Sequence, residues 1–400
     1  MSRRTGAAGS QSSLREANRQ LVVETVKRFG GLTQVELAEA TGLSQATVST
    51  IVRELYAAGV VDTVATTRSG RRAQMVTLAR RVGLAAGIQI GHRNLRVALG
   101  DFSQEILAEQ SLPLPVEHRV DTTLDRVALL VVDLLERVGG ALGDVVGMGV
   151  GVPAPVDSAT GMISVEGIMP GWDDVHLGQV LAKRLELPVY VDNDANLAAF
   201  AESTVGAARD RADSLFLRAS YGVGAGIVLG GQVLRGFAGT AGEIGHLTVR
   251  PDGELCRCGR YGCLDTLVGA SALLEAVGPV PGVASLRDIV QRAEQGDERC
   301  ADVVAEAGAT IGAALAGLVL AVNPQVVVVG GELSETGETL LAPLRGALLR
   351  HALPNRIAPL EVVRSRLGAR AEMVGALALA VQSTAVPLTL EETVDVGGLG

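Results

Sequence analysis

The sequence predicts an α/β protein in which a small winged helix-turn-helix domain precedes a larger domain of two lobes. Three observations predict this fold class. The chain has 400 residues, enough for two or three domains. Its first 82 residues combine short amphipathic helices with a basic hairpin, and after residue 83 short apolar strands alternate with helices. We expect domains at 1–82 and 83–385, followed by a loose acidic tail at 386–400.

Charge is distributed unevenly between these two parts. Residues 1–82 hold 12 Lys and Arg against 6 Asp and Glu, which gives this part a net charge of +6. The whole chain has a net charge of −9, so the remainder has a net charge of −15. The front of the chain can therefore sit on a polyanion that would repel the rest.

Composition excludes several other classes of protein. Aromatic residues are 2% of the chain against 50 glycines, which argues against stacking on many bases and favours turns around a small-molecule site. We find no run of 18 residues free of charges and turn residues, and the start of the chain, Met1-Ser-Arg-Arg-Thr, does not have the pattern of a signal peptide. The expectation is a cytoplasmic protein with no membrane partner.

The first domain has the order of elements of a winged helix-turn-helix. Residues 14–29 form an amphipathic stripe, and Thr33 with Glu36 is a capping box that begins a second helix. Gly42 can end that helix in the left-handed conformation, and Ser44 caps a third helix. The polar face of the third helix predicts the residues that read base edges in the major groove: Gln45, Ser49, Thr50 and Arg53.

A basic hairpin follows the third helix. Two strand-like runs, 60–66 and 73–78, are joined by a segment carrying Arg68, Arg71 and Arg72, which predicts a wing lying against phosphates or in a minor groove. Double-stranded DNA is the expected partner. The alternative is a basic three-helix scaffold that binds another protein.

The second domain reads as two α/β halves. The first has apolar strands at 84–91, 95–99, 106–108, 145–152 and 189–191, with helices at 121–138 and 177–185. The second has strands at 214–217, 224–230 and 326–331 and an Ala-rich helix at 301–321. Two lobes imply a cleft, where small ligands bind.

Three of the four cysteines are clustered beside a histidine. His246, Cys256, Cys258 and Cys263 match the Cys3His set of a closed structural zinc site, in which no position is left for a catalytic water. The alternative is a set of reduced cysteines packed in a turn, where the neighbouring Arg257, Arg260 and Tyr261 would make a poor apolar interior. Cys300 is expected to be a small core residue.

This segment carries a specific resemblance. Glu243-Ile-Gly-His246, followed by Cys-x-Cys-Gly-x-x-Gly-Cys-x-acid, resembles the signature of the ROK family of repressors, open reading frames and sugar kinases. The match spans roughly 83–385 and implies an actin-like, ribonuclease-H-like fold. One lobe would comprise about 83–193 plus a C-terminal helix at 370–385, and the other 194–369. A preceding winged helix is the arrangement of the family's repressors, which assemble as dimers or tetramers.

The resemblance also implies roles for individual residues. The family's sugar site corresponds to Asn193, Asp194, Glu243, His246 and Asp265, and Asp194 aligns with the catalytic base of the kinases. Taken alone, Asn193 and Asp194 are more typical of a helix cap. The chain departs from the family at the end of this motif, where Asp265 replaces the usual Glu, and at Ile168, where an Asn is common.

A larger departure concerns the phosphate loop. The family's Gly-x-Asp-x-Gly-Gly-Thr is Gly-Ile-Gln-Ile-Gly-His-Arg here, so Gln89 replaces the acid, and His92 and Arg93 replace the Gly-Thr turn. Gln89 cannot orient magnesium as an acid would, and side chains obstruct the approach of phosphate. The glycine loop 222–226 and Gly330-Gly331 are retained, but they also serve as plain turns.

The preferred hypothesis is a sugar-responsive transcriptional regulator, acting as a repressor of carbohydrate genes, whose degenerate kinase domain binds a sugar or sugar phosphate. The alternative is an active glucokinase-like sugar kinase that carries a DNA-binding domain. Trp172 is expected in the core, with a position over the pocket as the alternative.

Overall fold

The computed structural model describes residues 11–68, 71–115, 118–157, 159–353 and 357–389. Most of the expected tail, 390–400, lies outside the described residues.

The N-terminal elements form a three-helix unit with a small antiparallel sheet in the order β1-β3-β2. Thr33 and Glu36 make the predicted capping box, and Ser44 accepts a hydrogen bond from the Thr47 amide at 3.1 Å. Both local predictions are confirmed. The elements are α1 (Gln11–Phe29), β1 (Leu32–Thr33), α2 (Gln34–Thr41), α3 (Gln45–Ala57), β2 (Val61–Arg68) and β3 (Arg71–Leu78).

The hairpin is longer than the sequence pattern suggested. Arg68 pairs in register with Arg71, and Arg72 pairs with Thr67, so all three arginines belong to the strands and not to a connecting loop. Residues 69–70 and the side chains of Arg68 and Arg71 lie outside the described residues.

The first lobe is built on a five-stranded sheet in the order β6-β5-β4-β7-β8, in which β4, β7 and β8 are parallel and β5 and β6 are antiparallel to their neighbours. Its elements are β4 (Leu84–Ile90), β5 (Asn94–Asp101), β6 (Ile106–Pro113), α4 (Val120–Val138), β7 (Val145–Val152), α5 (Leu177–Leu185) and β8 (Val189–Asn193).

The second lobe repeats the same topology, with the sheet order β11-β10-β9-β12-β13. Its elements are α6 (Asp194–Thr204), β9 (Ser214–Ala219), β10 (Val223–Leu229), β11 (Gln232–Val233), α7 (Asp265–Val268), α8 (Ala270–Val277), α9 (Leu286–Glu294), α10 (Glu298–Val322), β12 (Val326–Gly330), α11 (Glu338–His351) and β13 (Glu361–Arg364). The last helix, α12 (Ala371–Ser383), returns to the first lobe and packs on β4, β5 and β7.

Two helices join the lobes. α12 packs along α6, and α6 in turn packs on β9 and β10 of the second sheet. The carboxyl end of β8 runs directly into α6 at Asn193 and Asp194. This junction places the first residues of α6 in the cleft between the lobes.

Two single residues lie where the sequence suggested. Trp172 is 2% exposed within the core of the first lobe and makes an edge-to-face contact with His118 at 5.4 Å. Cys300 is fully buried in the core of the second lobe.

Helix α10 is the one element among the described residues that could be mistaken for a membrane span. Its 25 residues are long and apolar enough to cross a bilayer by length and composition alone. Half of its most apolar window is buried, and it packs against α8, α9 and α11. In this structure it is therefore a core helix of the second lobe.

Candidate functional site

A polar pocket lies in the cleft at the junction of β8 and α6. It gathers side chains from several separate segments, and all five residues of the predicted sugar site line it. Its lining residues are His92, Pro153, Ile168, Asn193, Asp194, Arg218, Gly222, Val223, Gly224, Ala225, Glu243, His246, Arg257 and Asp265.

Asn193 caps helix α6. Its side-chain oxygen accepts hydrogen bonds from the amides of Ala195 at 2.9 Å and Asn196 at 3.1 Å, while its amide nitrogen donates to the Ala154 oxygen at 3.1 Å. The capping interpretation is thus correct as a description of the local structure. One side-chain N–H remains for any ligand.

Asp194 is buried, whereas the two other acids that line the pocket, Glu243 and Asp265, are half-buried. The side chain of Asp194 is about 5% exposed, and its Oδ2 has no hydrogen-bond partner among the described residues. Burial raises the pKa of this carboxyl, while the nearby Arg218 cation lowers it. A buried acceptor that faces a pocket is suited to receive a hydroxyl of a ligand.

Arg218 is the charged centre that the sequence interpretation missed. Its Nε lies 3.4 Å from Asp194 Oδ2 and donates to Glu372 Oε1 at 2.6 Å, so one guanidinium contacts two carboxylates, at the starts of α6 and α12. Burial opposes its charge, but Asp194, Glu372 and Glu332 raise the pKa of Arg218 above its usual value. The available signal was a single arginine within the apolar strand Ser214–Ala219.

A second carboxyl, of Glu243, and an imidazole, of His92, also line the pocket. Burial, followed by Asp194 and Asp265, raises the pKa of Glu243 to about 7. Burial and the nearby Arg218 and Arg257 cations lower the pKa of His92 to about 3, so its imidazole is neutral. Both groups can therefore donate as well as accept hydrogen bonds at neutral pH.

Asp265 closes the side of the pocket next to the cysteine loop. Its Oδ1 accepts a hydrogen bond from the Val223 amide at 2.7 Å. A Cβ on Gly222 would lie 3.1 Å from Asp265 Oδ2, so the glycine loop passes close to this carboxylate. The loop and the acid hold each other in position at the edge of the pocket.

The histidine and the three predicted cysteines meet in one place. The ligand atoms of His246, Cys256, Cys258 and Cys263 all lie within 4.8 Å of one another. Cys256 Sγ is 3.5 Å from His246 Nδ1, and Cys258 Sγ is 3.6 Å from Cys263 Sγ. Ligands of a tetrahedral ion with Cys and His at ordinary bond lengths are about 3.4–3.8 Å apart. The donor set therefore fits a metal ion, and His246 joins this cluster to the pocket.

The predicted base-reading face of α3 is open to solvent. Gln45, Thr50 and Arg53 are exposed and Ser49 is half-buried, whereas Val48, Ile51, Val52 and Leu55 are buried. The Thr50 hydroxyl donates to the Ala46 oxygen of its own helix at 3.0 Å. Arg72 of the wing is also exposed. Helix α3 thus presents a polar face to solvent, and none of its four predicted base-contacting residues carries a negative charge that DNA would repel.

The segment of the altered phosphate loop also has defined partners. Gln89 is buried and its Oε1 accepts a hydrogen bond from Arg96 at 2.9 Å; Arg96 also donates to the Ala369 oxygen at 2.6 Å. Arg93 lies over the ring of Tyr221 in the second lobe, 5.9 Å from its centroid. Gly331 lines a separate cavity nearby. The charged residues that line the same cavity are Arg96, Arg287, Glu332, Glu335 and Glu372.

Comparisons with known proteins agree with this architecture. The ROK family model matches residues 85–383, and a MarR family model matches residues 21–72. The N-acetylglucosamine repressor of Escherichia coli O157:H7 is 31% identical over 386 residues, covering 93% of this chain and 94% of its own.

Two solved structures share the fold. A ROK family transcriptional regulator, a homologue of the E. coli MLC protein, superposes with a TM-score of 0.72 at 26% identity, covering 92% of this chain and 97% of its own. A ROK family glucokinase from Streptomyces griseus, in complex with glucose and AMPPNP, gives a TM-score of 0.68 at 30% identity, over 75% of this chain and all of its own. The chain therefore belongs to the ROK family, and the winged helix ahead of its ROK domain makes it one of the family's transcriptional regulators.

Proposed function

We propose that this protein is a transcriptional repressor that binds operator DNA through its winged helix and responds to a sugar or sugar phosphate in the cleft. The observation that carries the proposal is the pocket at the β8–α6 junction. It holds a buried carboxylate oxygen, Asp194 Oδ2, which lies 3.4 Å from the Arg218 cation but accepts no hydrogen bond from the described residues. The same chain also exposes a polar helix suited to DNA.

The sugar would bind through hydroxyl groups. Asp194, Glu243 and Asp265 each offer carboxyl oxygens, Asn193 offers its remaining N–H, and a metal-bound His246 would keep one ring nitrogen for hydrogen bonding. N-acetylglucosamine and glucose are the first candidates, because one relative that matches 93% of this chain is an N-acetylglucosamine repressor and a structural neighbour holds glucose.

DNA would be read by α3 and held by the wing. Gln45, Ser49, Thr50 and Arg53 are the proposed base-contacting residues. Arg68, Arg71 and Arg72 are the proposed phosphate-contacting residues, since they follow one another along paired strands at the end of the hairpin. A homodimer or homotetramer in the cytoplasm would present two recognition helices to one operator.

The cysteine cluster would hold zinc. Three thiolates and one imidazole fill the four positions of a tetrahedral ion, so the ion would be structural and would fix the loop carrying His246 and leading to Asp265. When bound, the ion would cross-link the segments that carry its four ligands and would take no part in a reaction.

We infer that the cleft no longer transfers phosphate. Gln89 accepts a hydrogen bond from Arg96 where the kinases have an acid for magnesium, and His92 and Arg93 occupy the turn that would approach phosphate. Arg218 is also paired with the proposed vestigial base, Asp194, and with Glu372. The cavity beside Gly331 is lined by three carboxylates, Glu332, Glu335 and Glu372, against two arginines, so it lacks the excess of positive charge that would favour a triphosphate.

A ligand screen tests the proposal. The full chain is heated with D-glucose, N-acetyl-D-glucosamine, D-xylose and the 6-phosphates of the two hexoses, each with and without MgATP. A specific effector raises the melting temperature by mass action, and ATP adds nothing. The matched variant Glu243→Gln keeps the shape of the side chain and should change the size of the rise in melting temperature that the effector produces.

The same sugars are then added to the protein bound to a DNA duplex selected from a random library. The expected result is a change in DNA affinity with the sugar that stabilises the protein. Sugar-dependent consumption of ATP that Asp194→Asn abolishes would instead establish the kinase alternative.

A further inference from the structure

The DNA-binding domain contacts both lobes of the ROK domain. Helix α1 shares an apolar core with the first lobe and with α12. This core contains Val22, Val23 and Val26 of α1, Ala85 and Phe102 of the first lobe, and Leu377, Ala380 and Val381 of α12. Arg19 of α1 also donates to the Leu388 oxygen beyond α12 at 3.1 Å.

The carboxyl end of α1 is also bonded to the first lobe. Gln104, in the β5–β6 turn, donates to the Lys27 oxygen at 2.9 Å and to the Arg28 oxygen at 3.3 Å, and so satisfies carbonyls at the end of the helix. The chain then passes so close to this turn that a Cβ on Gly30 would lie 2.7 Å from the Ser103 oxygen. Gly30 also has a φ of +69°, which favours glycine.

The same short segment reaches the second lobe through two arginines. Arg28, in the last turn of α1, donates to the Gly231 oxygen in the β10–β11 turn. In the opposite direction, Arg209, between α6 and β9, donates to the Gly31 oxygen at 3.1 Å. Residues 27–31 therefore lie where the DNA-binding domain, the first lobe and the second lobe meet.

The two sets of contacts respond differently to movement. Apolar contacts are non-directional and tolerate small displacements, so the shared core keeps the domain on the first lobe. An arginine–carbonyl hydrogen bond breaks when its partners separate by an ångström or so, because its energy falls steeply with distance and angle. The hydrogen bonds to the second lobe are thus the ones that distinguish one lobe arrangement from another.

We propose that residues 27–31 transmit the relative position of the two lobes to the DNA-binding domain, and that Arg28 and Arg209 are the positioning residues that do so. This proposal rests on the proposed function, because a sugar at the β8–α6 junction must favour one lobe arrangement to act on DNA. When the second lobe moves, the Arg28–Gly231 and Arg209–Gly31 hydrogen bonds are made or broken, and the recognition helix changes its orientation relative to the first lobe.

Arg209→Ala provides the test. Arg209 belongs to the second lobe and not to the winged helix, so this substitution leaves every proposed phosphate-contacting residue in place. Arg211→Ala is the matched control, since it removes the same charge two residues away, where Arg211 pairs with Glu361 at 2.9 Å within the second lobe. DNA affinity is measured for the full chain on a duplex selected from a random library, with and without the sugar that stabilises the wild type.

The expected result is that Arg209→Ala changes the sugar-free DNA affinity at least about threefold and brings the sugar-dependent ratio of affinities to within about twofold of one. Sugar binding itself, measured by calorimetry without DNA, should change little, and Arg211→Ala should resemble the wild type in both measurements. Equal sugar-free affinity and equal sugar response in Arg209→Ala and wild type would overturn the proposal.

The outcome is separable from that of the proposed function. If no sugar alters DNA binding by the wild type, the sugar-responsive function fails, and the comparison of Arg209→Ala with Arg211→Ala in sugar-free DNA affinity still decides this proposal. If no duplex is bound at all, hydrogen exchange of residues 24–33 decides it. Faster exchange in Arg209→Ala than in Arg211→Ala is then expected, and equal rates would overturn it.

Discussion

Arg218 in the second lobe donates a hydrogen bond to Glu372 at the start of α12, 2.6 Å away and on the other side of the cleft. Both side chains are buried, at 8% and 11% exposure. The pair joins two segments separated by 154 residues at a point that also contacts Asp194. It therefore links Asp194 of the pocket to the helix that packs against the DNA-binding domain.

Removing one partner of this pair should destabilise the protein strongly. Arg218→Ala leaves two carboxylates buried without a cation, and we expect the free energy of unfolding to fall by about 3–5 kcal/mol. Glu372→Gln should cost less, since a Gln oxygen can still accept from Arg218. Urea denaturation measures both, and the double variant should cost clearly less than the sum of the singles. Additive costs would contradict direct coupling.

Stability should decrease as pH rises towards neutrality because of Glu243. Its pKa is raised from 4.5 to about 7 in the folded protein, so between these values the folded state holds a proton that the unfolded state has lost. This contribution to stability is complete below the unfolded value and disappears as pH rises through the folded value. Glu243→Gln cannot titrate and should flatten the decline. Thermal melts between about pH 4.5 and 7.5 measure this, and identical slopes for the two proteins would contradict the assignment.

Loss of one cysteine ligand should affect sugar binding before it affects folding. Cys258→Ser should reduce bound zinc from one ion per chain, measured by atomic emission, and weaken the sugar response because His246 is no longer held beside the pocket. Cys300→Ala is the control, since Cys300 is buried outside the cluster. Intact sugar binding in a folded, zinc-free protein would refute the role of the metal.

Recognition helix and wing should contribute differently to DNA binding. Arg53→Ala should lose about 1–3 kcal/mol of discrimination at one base position, since the exposed Arg53 is proposed to contact a base edge. Arg72→Ala should weaken binding to all sequences and reduce the salt dependence. Competition among single-base variants of the selected duplex distinguishes the two. A uniform loss for Arg53→Ala would remove it from the readers.

The sequence was most informative where signals are local. Thr33 and Glu36 form the capping box because both partners lie within one turn, and the cysteine spacing brings its ligands together within one loop. Strand β6 was underestimated, predicted to end at Ala108 but extending to Pro113. It is an edge strand, and alternate side chains in its second half face solvent. The polar residues at these positions interrupt the apolar run from which the strand was predicted.

Long-range features could not be read in the same way. The Arg218–Glu372 pair and the bonds of residues 27–31 to both lobes depend on how distant segments pack, and no periodicity in one sequence encodes such a pairing. The Asn193 cap, in contrast, is local, and the sequence pattern alone indicates it.

The crossing of α6 and α12 has a mechanical consequence. A Cβ on Gly375 of α12 would collide with the Leu197 oxygen of α6, so the two backbones touch with no side chain between them. Because backbone packs directly on backbone, no side chain at this point can change its rotamer to take up a movement. The helices can rotate about the point of contact, but they cannot come closer together there. The contact therefore serves as a pivot between the lobes, and replacing Gly375 by any residue with a Cβ would force the two helices apart there.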